Sequence, residues 1–462
     1  MYLKNQTFLV LGLSRSGCAA TEFLLSRGAT VYVRDDIVNS RIEQTILALE
    51  EKGARRVEKD ALAEVVSRCD GLVLSPGIPI DHPLAVEFRR AGKAVLGETE
   101  LAARYMRATS VAVTGTNGKT TTVSLIEELL TSGGLVAKPC GNIGLPMVNF
   151  CDMTDREIAV AEISSFQLET LNSFRPHIAV VLNITEDHLN RHYNMENYVF
   201  LKGKLLKNLT ETEYCVLNYD DPIVREFAGK TKGKVIYFSV RERVHGAYVS
   251  DGKLWFGEEE ILAVNELFEG SVHNVQNALA SIAVAKLMGV ETSSIASALR
   301  AFKGVRHRLE YVGEMDGVYY VNDSKGTNVD ATIKAISAMK TQAILLLGGK
   351  NKGYNYAPLF KFMGDSKVKH AVLYGENRYE LLDSARSVGF QSCTVCDCFD
   401  FAVQIAILKA EKGETVLLSP ASASFDEFAG YEERGDRFVE IIRRHAKRAC
   451  ALEEDGANEE TE

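Results

Sequence analysis

Short apolar runs that end at glycine or at polar residues recur along the whole chain. Thr7–Leu11, Thr30–Val33 and Gly71–Leu74 are such runs, and a helical pattern over 18–27 separates the first two. An unbroken apolar run of this length is typical of a strand buried on both faces. Strands and helices that alternate at this spacing indicate parallel βαβ units. We therefore predict an α/β domain that ends near Gly97.

The same alternation restarts twice further along the chain. The predicted strands are Ser110–Thr114, Ile158–Ala161 and Ile178–Leu182 in the second segment, and Val318–Val321, Gln342–Leu347, His370–Tyr374 and Thr415–Leu418 in the third. Helices are predicted over Thr121–Leu130 and Val275–Met288, and extra β-structure between Phe227 and Glu269. The length of 462 residues favours about three domains, which we place at 1–97, 98–303 and 304–462.

Composition and charge exclude several classes of protein. The formal net charge of -9 argues against nonspecific nucleic-acid binding, which needs a basic surface. No apolar run approaches the roughly 20 residues that span a bilayer. Because the sequence leads straight into a strand pattern, we expect no signal peptide. Nine cysteines without a small-domain framework indicate a reducing compartment. We expect a cytoplasmic monomer whose acidic tail, 452–462, is disordered.

A phosphate-binding loop is predicted at Gly115–Thr120, between a strand and a helix. Backbone N–H groups and the helix N-terminus would cradle phosphates, Lys119 would reach the β- and γ-phosphates, and the Thr120 hydroxyl would bind Mg²⁺. The strict pattern has a glycine at position 113, where this chain has valine. A plain strand–helix turn is the alternative, but the Gly-Lys-Thr-Thr run favours nucleotide binding.

Two glycine-containing turns of the first segment are weaker candidates. Gly12–Gly17 resembles a dinucleotide-binding turn whose middle glycine is replaced by Ser14, and Asp35 follows 18 residues after Gly17. Ligand binding and a purely structural turn are both open on this pattern. The second turn, Ser75–Pro79, also follows a predicted strand and favours a diphosphate ligand.

Metal-binding side chains are predicted in the second segment. Glu162 follows a predicted strand beside the phosphate-binding loop, where a Mg²⁺ ligand belongs. His188 lies in a polar loop after the next strand, and Lys202 lies in a helical stretch. Taken singly, each is as readily explained as an exposed surface residue.

Considered together, these motifs resemble those of the Mur ligases, in the family's order from residue 7 to about 440. The matching stretches are Thr114–Thr120, Gly141–Pro146, Glu162–Glu169, Asn183–His188, His273–Leu279, His307–Glu310, Asn322–Asn328, Gly348–Gly349 and Ser419–Asp426. The resemblance implies an α/β fold in three domains: a Rossmann-like N-terminal domain, a central P-loop ATPase-type domain with a mainly parallel sheet, and a Rossmann-like C-terminal domain.

The activity that the resemblance implies is ATP-dependent amide-bond formation in peptidoglycan precursor synthesis. The carboxylate of UDP-N-acetylmuramoyl-L-alanine would attack the γ-phosphate of ATP, and the amine of D-glutamate would then attack the acyl phosphate. The implied cofactors are Mg²⁺, as two ions, and a CO₂-derived carbamate on Lys202, because an ammonium group cannot ligate a cation.

The resemblance also implies roles for individual residues. The catalytic set is Lys119, Glu162, His188 and Lys202; Thr120, Glu162, His188 and Lys202 would hold metal. ATP would be bound by Gly115, Thr116, Asn117, Gly118, Lys119, Thr120, Thr121, Asn274, Asn277, Arg308 and Asp323. The UDP-linked substrate would be bound by Ser14, Arg15, Ser16, Asp35, Ser75, Gly77, Asn142 and Ser164, and D-glutamate by Lys325, Thr327, Lys352, Ser424, Phe425 and Tyr431.

Several alternatives remain at this stage. Folylpolyglutamate synthase shares the second and third domains but lacks a domain before the P-loop. A sister Mur ligase with another amino acid, an NAD-dependent dehydrogenase and a non-catalytic nucleotide-binding regulator are the others. Arg15 and Asp36-Ile37 depart from the family's usual residues near the uridine diphosphate turn. Cys393, Cys396 and Cys398 are expected on one strand, as structural cysteines or a zinc site.

Overall fold

The chain divides into two compact units, residues 1–303 and 304–462. The computed structural model describes residues 3–58, 62–267, 272–350 and 354–459. The first unit holds two sheets and the second unit holds one.

The first sheet of unit 1 is wholly parallel. Its elements are β1 Thr7–Leu11, α1 Arg15–Ser26, β2 Thr30–Arg34, α2 Ser40–Glu51, β3 Arg55–Arg56, α3 Leu62–Arg68, β4 Gly71–Leu74, α4 Pro83–Arg90, β5 Ala94–Gly97 and α5 Glu98–Tyr105. The strand order is β3-β2-β1-β4-β5, so the chain reverses direction across the sheet between β1 and β4. The two predicted ligand-binding turns follow these two neighbouring strands, which is where open α/β sheets bind ligands.

The second sheet of unit 1 has nine strands. Its elements are β6 Thr109–Thr114, α6 Lys119–Ser132, β7 Val136–Gly141, β8 Glu157–Glu162, α7 Ser165–Glu169, β9 Ile178–Val181, α8 Leu189–His192, α9 Met195–Gly203, β10 Tyr214–Asn218, α10 Pro222–Arg225, β11 Lys234–Ser239, β12 Gly246–Ser250, β13 Lys253–Phe256, β14 Glu259–Ala263, α11 Val272–Leu287 and α12 Thr292–Ala301. Short 3₁₀ helices cover Met147–Phe150, Lys204–Leu206, Glu226–Lys230 and Val264–Glu266.

This sheet has the order β14-β13-β12-β11-β10-β9-β6-β8-β7. Its strands are parallel except where β13 pairs with β12 and β14. The extra β-structure predicted before residue 269 is therefore confirmed over 234–263, where β12, β13 and β14 form the antiparallel edge of the sheet. The central strand β6 lies between β8 and β9, which brings three strand ends together at one edge.

One hydrophobic core joins the two sheets of unit 1. It contains Val10 and Phe23 from the first sheet and its helix, Leu101 from α5, and Ala112 and Val181 from the second sheet. All five side chains are at most 7% exposed. Burial of shared apolar surface is the main stabilising contribution to a fold, so the first sheet depends on the second for part of its stability.

Unit 2 contains a six-stranded sheet of order β15-β16-β20-β17-β18-β19. Its elements are β15 Glu310–Met315, β16 Val318–Asn322, α13 Val329–Ala338, β17 Ala343–Gly348, α14 Ala357–Gly364, β18 Val368–Tyr374, α15 Arg378–Ser387, β19 Cys393–Val395, α16 Phe399–Lys409, β20 Thr415–Leu418 and α17 Tyr431–Glu459. Only the β15–β16 pair is antiparallel. Apolar clusters pack against both faces of the sheet.

The α/β class and the mainly parallel sheets predicted from the sequence are confirmed, and two expectations are corrected. The backbone is helical over 452–459, within α17, where a disordered tail was expected. Alanine, leucine and glutamate favour helix, so an acidic composition there does not exclude one. Cys393 lies on β19, but Cys396 and Cys398 follow that strand, and Cys398 precedes α16 as its N-cap.

Two further observations concern metals and membranes. Among the described residues, no group of three or more His, Cys, Asp or Glu side chains could hold a metal ion. No helix within the described ranges is both long and apolar enough to cross a membrane.

Candidate active site

The predicted phosphate-binding loop connects β6 to α6. Gly115 and Gly118 have φ angles of +153° and +85°, a region that side chains disfavour. A Cβ on Gly118 would lie 2.3 Å from Oδ1 of Asn277, so α11 packs directly against the loop. Asn274 lies one turn earlier on the same helix. The two glycines thus give the loop a backbone that can approach phosphates closely.

Asn183, at the end of β9, fixes the loop from the other side. Its Oδ1 accepts from the backbone N–H of Asn117 at 2.8 Å, and its Nδ2 donates to the Asn117 carbonyl at 3.1 Å. The Thr116 hydroxyl donates to the Thr185 carbonyl at 3.1 Å. Asn183 stands in one of the matching sequence stretches, where the motif alone indicates no role for it. The structure gives it the role of a clamp on the loop.

Thr120, Glu162 and Asn142 form a hydrogen-bonded group beside the loop. The Thr120 hydroxyl donates to Oε2 of Glu162 at 2.8 Å, and Nδ2 of Asn142 donates to Oε1 at 2.7 Å. Glu162 is 2% exposed. Hydroxyl and carboxylate oxygens are the ligands that Mg²⁺ prefers, so the donor set fits the expected cation.

Two lysines donate to one backbone carbonyl in this site. Nζ of Lys119 and Nζ of Lys202 lie 2.8 Å and 2.9 Å from the Gly115 oxygen. Lys202 also donates to the Thr114 hydroxyl at 3.2 Å, and it is 1% exposed. Burial holds the pKa of Lys202 well below its ordinary value, and the charge of Lys119 adds to that effect. The helix position alone did not suggest so buried an amine.

His188 begins the short helix α8 with a left-handed backbone, φ +53°. Its ring lies 4.8 Å from that of Phe166, and its Nε2 lies 3.5 Å from a carboxylate oxygen of Asp187. Burial lowers the pKa of His188, Asp187 opposes this, and Lys119 and Lys202 add to the lowering. A neutral imidazole is the form that can ligate a metal.

The two turns of the first sheet contact each other. The Ser75 hydroxyl donates to the Gly12 carbonyl at 2.6 Å, and the Ser14 hydroxyl lies 3.4 Å from Ser75 Oγ. Asp35 accepts from the backbone N–H groups of Leu13 at 2.7 Å and Ile37 at 3.0 Å. Asp35 therefore shapes the first turn, and its predicted contact with the UDP-linked substrate stays a prediction.

Three further predicted substrate residues have clear positions. Arg15 reaches the Gly144 carbonyl at 3.2 Å, which joins the first turn to the 141–146 loop. Ser16 lies in the first turn of α1. Ser164 is the N-cap of α7 in a capping box with Gln167, so part of its hydrogen bonding is used within the helix.

In unit 2, predicted residues gather where β16 and β20 end. Ser419 donates to Asp323 at 2.7 Å, and Asp323 is 6% exposed. Burial raises the pKa of Asp323 to about 6, against the hydrogen bond from Ser419 and the charge of Arg308. Nζ of Lys325 lies 5.4 Å from the ring centre of Tyr431.

The remaining residues predicted to bind D-glutamate differ in how far they are buried. Ser424 is buried, whereas Phe425 is 57% exposed. Thr327 follows Lys325 in the turn after β16 and donates its N–H to the Lys325 carbonyl at 2.9 Å. Lys352 lies outside the described residues.

Arg434 is a buried residue of this region that sequence analysis missed. Its guanidinium donates to the carbonyls of Ser324 at 2.9 Å and Ser422 at 3.1 Å, and to the Ser324 hydroxyl at 3.0 Å. The side chain is fully buried. It ties together the loops after β16 and β20, which carry most of the predicted D-glutamate residues.

Family models match three successive segments of the chain. The Mur ligase MurD-like N-terminal domain matches residues 6–97, the Mur ligase middle domain matches 113–285, and the Mur ligase glutamate ligase domain matches 307–422. The segments follow one another in the order that the sequence motifs indicate.

Similar proteins cover nearly the whole chain. A UDP-N-acetylmuramoylalanine–D-glutamate ligase of Caldanaerobacter subterraneus subsp. tengcongensis is 40% identical over 447 residues, 96% of this chain and 99% of the relative. An enzyme of the same name from Pelotomaculum thermopropionicum is 42% identical over 447 residues, 94% of this chain and 96% of the relative. The crystal structure of UDP-N-acetylmuramate-alanine ligase from Thermotoga maritima shares the fold, with a TM-score of 0.58, 18% identity, and coverage of 95% and 99% of the two chains. The chain belongs to the Mur ligase family.

Proposed function

We propose that this chain joins D-glutamate to UDP-N-acetylmuramoyl-L-alanine at the expense of ATP, in peptidoglycan precursor synthesis. In the first step the substrate carboxylate attacks the γ-phosphorus of ATP, the bond to the β,γ-bridging oxygen breaks, and ADP leaves. In the second step the amine of D-glutamate attacks the acyl carbon, the bond to the phosphate oxygen breaks, and phosphate and the amine proton are released.

One observation carries this proposal. The Thr120–Glu162 pair at the phosphate-binding loop lies in a chain that aligns end to end with D-glutamate ligases at about 40% identity. The loop supports ATP-dependent chemistry, and the relatives support the choice of acceptor and amino acid.

The ATP-site roles follow from contacts around the loop. Lys119 and the N–H groups of 115–121 would neutralise and orient the phosphates. Asn277 packs on Gly118, and together with Asn274 it would contact the bound ATP. Arg308 and Asp323 of unit 2 are assigned to ATP by family resemblance.

The substrate-binding roles are proposed in the same way. For the UDP-linked substrate the residues are Ser14, Arg15, Ser16, Asp35, Ser75, Gly77, Asn142 and Ser164. For D-glutamate they are Lys325, Thr327, Lys352, Ser424, Phe425 and Tyr431. Lysine and hydroxyl donors suit the two carboxylates of this amino acid.

Thr120 and Glu162 would hold one Mg²⁺, and His188 with Lys202 would hold a second. Bound Mg²⁺ would stabilise the negative charge that spreads over the transferring phosphoryl group. Lys202 serves as a ligand only as a carbamate, in which CO₂ adds to the amine and a proton is released. The burial of the amine supports carbamate formation, because desolvation disfavours the ammonium state and so favours the neutral amine that reacts with CO₂.

The first experiment is phosphate release with Mg²⁺, ATP and UDP-N-acetylmuramoyl-L-alanine, comparing D-glutamate, L-glutamate and no amino acid. We expect release that depends on D-glutamate. Lys119→Ala and His188→Ala should each lower the turnover by about 100-fold or more with the fold retained. Lys138→Ala is the matched control, since Lys138 is an exposed lysine of β7 paired with Glu157.

The other outcomes discriminate the alternatives. Phosphate release with another amino acid and its matching precursor would indicate a sister ligase. The assignment of D-glutamate to the residues of unit 2 would then be wrong. ATP binding without release for any pairing would favour a non-catalytic nucleotide-binding regulator. Unchanged release in Lys119→Ala would refute the assignment of the phosphate-binding loop.

A further inference from the structure

Arg191 joins the loop of His188 to the Ser75–Pro79 turn of the first sheet. Its Nη2 donates to the Ile78 carbonyl at 2.8 Å and lies 3.5 Å from that of Pro76, and its Nη1 donates to the Gly77 carbonyl at 3.3 Å. The Arg191 side chain is 16% exposed. One guanidinium therefore contacts three successive carbonyls of a turn that is assigned to the UDP-linked substrate.

The other side of the Arg191 guanidinium is fixed by α7. Glu169, whose side chain is 6% exposed, accepts from Nε at 2.9 Å and from Nη2 at 2.6 Å. This bidentate pairing orients the guanidinium plane as well as holding its charge. A lysine at this position could not reproduce both sets of contacts.

Phe166 connects this arginine to the histidine. The Arg191 guanidinium carbon lies 5.3 Å from the centre of the Phe166 ring, and the His188 ring lies 4.8 Å from the same ring. His188 and Arg191 are also joined through the backbone, since the N–H of Arg191 donates to the His188 carbonyl at 2.9 Å. The position of the arginine thus constrains the position of the imidazole.

The contacts also set the direction of the backbone in the turn. In a planar trans peptide the N–H points opposite to the carbonyl. Because the Pro76 carbonyl faces Arg191, the Gly77 N–H of the same peptide points away from the guanidinium. A Cβ built on Gly77 meets no described atom within 4 Å, so there is open space beside this residue. The turn can offer its amide to a diphosphate there.

We propose that Arg191 is a positioning residue that couples the diphosphate-binding turn to the phosphoryl-transfer loop. It holds Ser75–Pro79 ready for the UDP part of the substrate, and through Phe166 and the backbone it holds His188 in place. The inference rests on the proposed function, because it assigns the turn to that substrate. Arg191 acts through these groups and does not touch the reacting atoms.

The test compares Arg191→Ala and Arg191→Lys with Tyr193→Phe. Tyr193 is the matched control because its hydroxyl donates to Asp81 at 2.7 Å, so it links the same segment to the first sheet through a residue outside the turn. For each variant we would measure kcat, the KM of all three substrates, the melting temperature, and the calorimetric Kd of UDP-N-acetylmuramoyl-L-alanine without ATP.

Arg191→Ala should raise the KM and Kd of the UDP-linked substrate about 10- to 100-fold and lower kcat, with the KM of ATP changed less than about twofold. Arg191→Lys should lie between this variant and the wild type, and Tyr193→Phe should match the wild type. Added guanidinium at millimolar concentration should restore part of the Arg191→Ala activity. A purely structural role would lower the active fraction without this selective change in KM.

An unchanged Kd and KM in Arg191→Ala, or an equal rise for all three substrates, would overturn the proposal. If Arg191→Ala does not fold, Arg191→Lys carries the same comparison, and wild-type constants in it would overturn the proposal as well. Wild-type protein that binds the UDP-linked substrate without D-glutamate-dependent phosphate release would refute the proposed function alone, while the calorimetric Kd still tests Arg191. Wild-type protein that binds no UDP-linked substrate would refute both.

Discussion

At the residue scale, the Gly115 carbonyl accepts hydrogen bonds from two lysine amino groups. Lys119 and Lys202 both donate to it, so two ammonium charges would lie within a few ångströms of each other. Like charges this close disfavour double protonation, and burial adds to the penalty at Lys202. A carbamate on Lys202 would replace this repulsion with attraction to Lys119.

This arrangement leads to a test of the carbamate. With ¹³C-bicarbonate we expect a carbamate signal in the wild-type NMR spectrum and none in Lys202→Arg. Removal of CO₂ should lower the turnover, and bicarbonate should restore it. Lys204→Arg is the control, because Lys204 lies two residues away and donates to the Glu169 carbonyl. The same signal in Lys202→Arg, or turnover indifferent to CO₂, would exclude the modification as a functional one.

The site was predictable from sequence only where local motifs carry it. Thr120, Glu162 and Asn142 stand in matching stretches, and the structure brings these three together. Asn183 lies in a matching stretch and Arg191 lies just after it. Their hydrogen-bond partners, Asn117 and Ile78, are 66 and 113 residues away along the chain. No spacing rule along the chain reveals such contacts, because the fold alone brings the partners together.

At the element scale, the start of α1 packs against the turn that precedes it. A Cβ on Gly17 would lie 1.9 Å from the Gly12 carbonyl oxygen and 2.9 Å from Ser75 Oγ. Gly17→Ala should therefore destabilise the protein by roughly 1–3 kcal/mol. Gly77→Ala is the control from the other turn, where a Cβ meets no described atom within 4 Å. Thermal unfolding measures both, and equal melting temperatures would contradict the packing argument.

A second element-scale feature is Glu98, the first residue of α5. It is 1% exposed and accepts from the Val148 N–H at 2.7 Å. Burial raises its pKa from 4.5 to about 7. Between these values the folded state holds a proton that the unfolded state has lost, so this contribution to stability falls as the pH rises from about 4.5 to about 7.

Glu98→Gln keeps an acceptor for Val148 and removes the titration. We expect the variant to match the wild type near pH 4.5 and to be more stable above pH 7, by about 3 kcal/mol. Denaturant unfolding of both proteins across this range gives the difference directly. A difference in stability that does not change with pH would show that Glu98 does not titrate in this window.

The elements themselves were largely predictable because buried strands leave unbroken apolar runs. β1 was predicted at Thr7–Leu11, where the structure has it. The predicted helix starts were less accurate. Helix α6 begins at Lys119 and not at Thr121, since the polar residues that are predicted to bind phosphate and Mg²⁺ also form its first turn. The sequence did not predict the end of α17, because the acidic composition there indicates disorder whereas the helix propensity of its residues indicates a helix.

At the scale of the whole molecule, the hydrophobic clusters respect one of the predicted domain boundaries and cross the other. Among the described residues, the two clusters of unit 2 contain only residues beyond 304. The boundary at residue 97, in contrast, divides a cluster that spans both sheets of unit 1. The pattern of apolar runs along the sequence gives no sign of this shared cluster, since the cluster depends on which helices meet.

The clusters predict how fragments behave. Residues 304–462 should fold alone and unfold cooperatively, and 1–303 should do the same. Residues 1–97 alone should be less stable than within 1–303, because they lose part of their core. Circular dichroism melts of the three fragments measure this. A cooperative melt of 1–97 at the temperature of 1–303 would contradict the shared-core argument.

The shared core of unit 1 also limits how such ligases can be recombined. A chimera joined at 303/304 cuts through no described hydrophobic cluster, so unit 2, which is predicted to bind the amino acid, can be exchanged as a module. A chimera joined at 97/98 must instead rematch an interior that both sheets of unit 1 fill together. On the proposed assignment of the substrate sites, exchanging the amino-acid specificity therefore needs a single junction, whereas exchanging the nucleotide-sugar specificity requires redesigning a core.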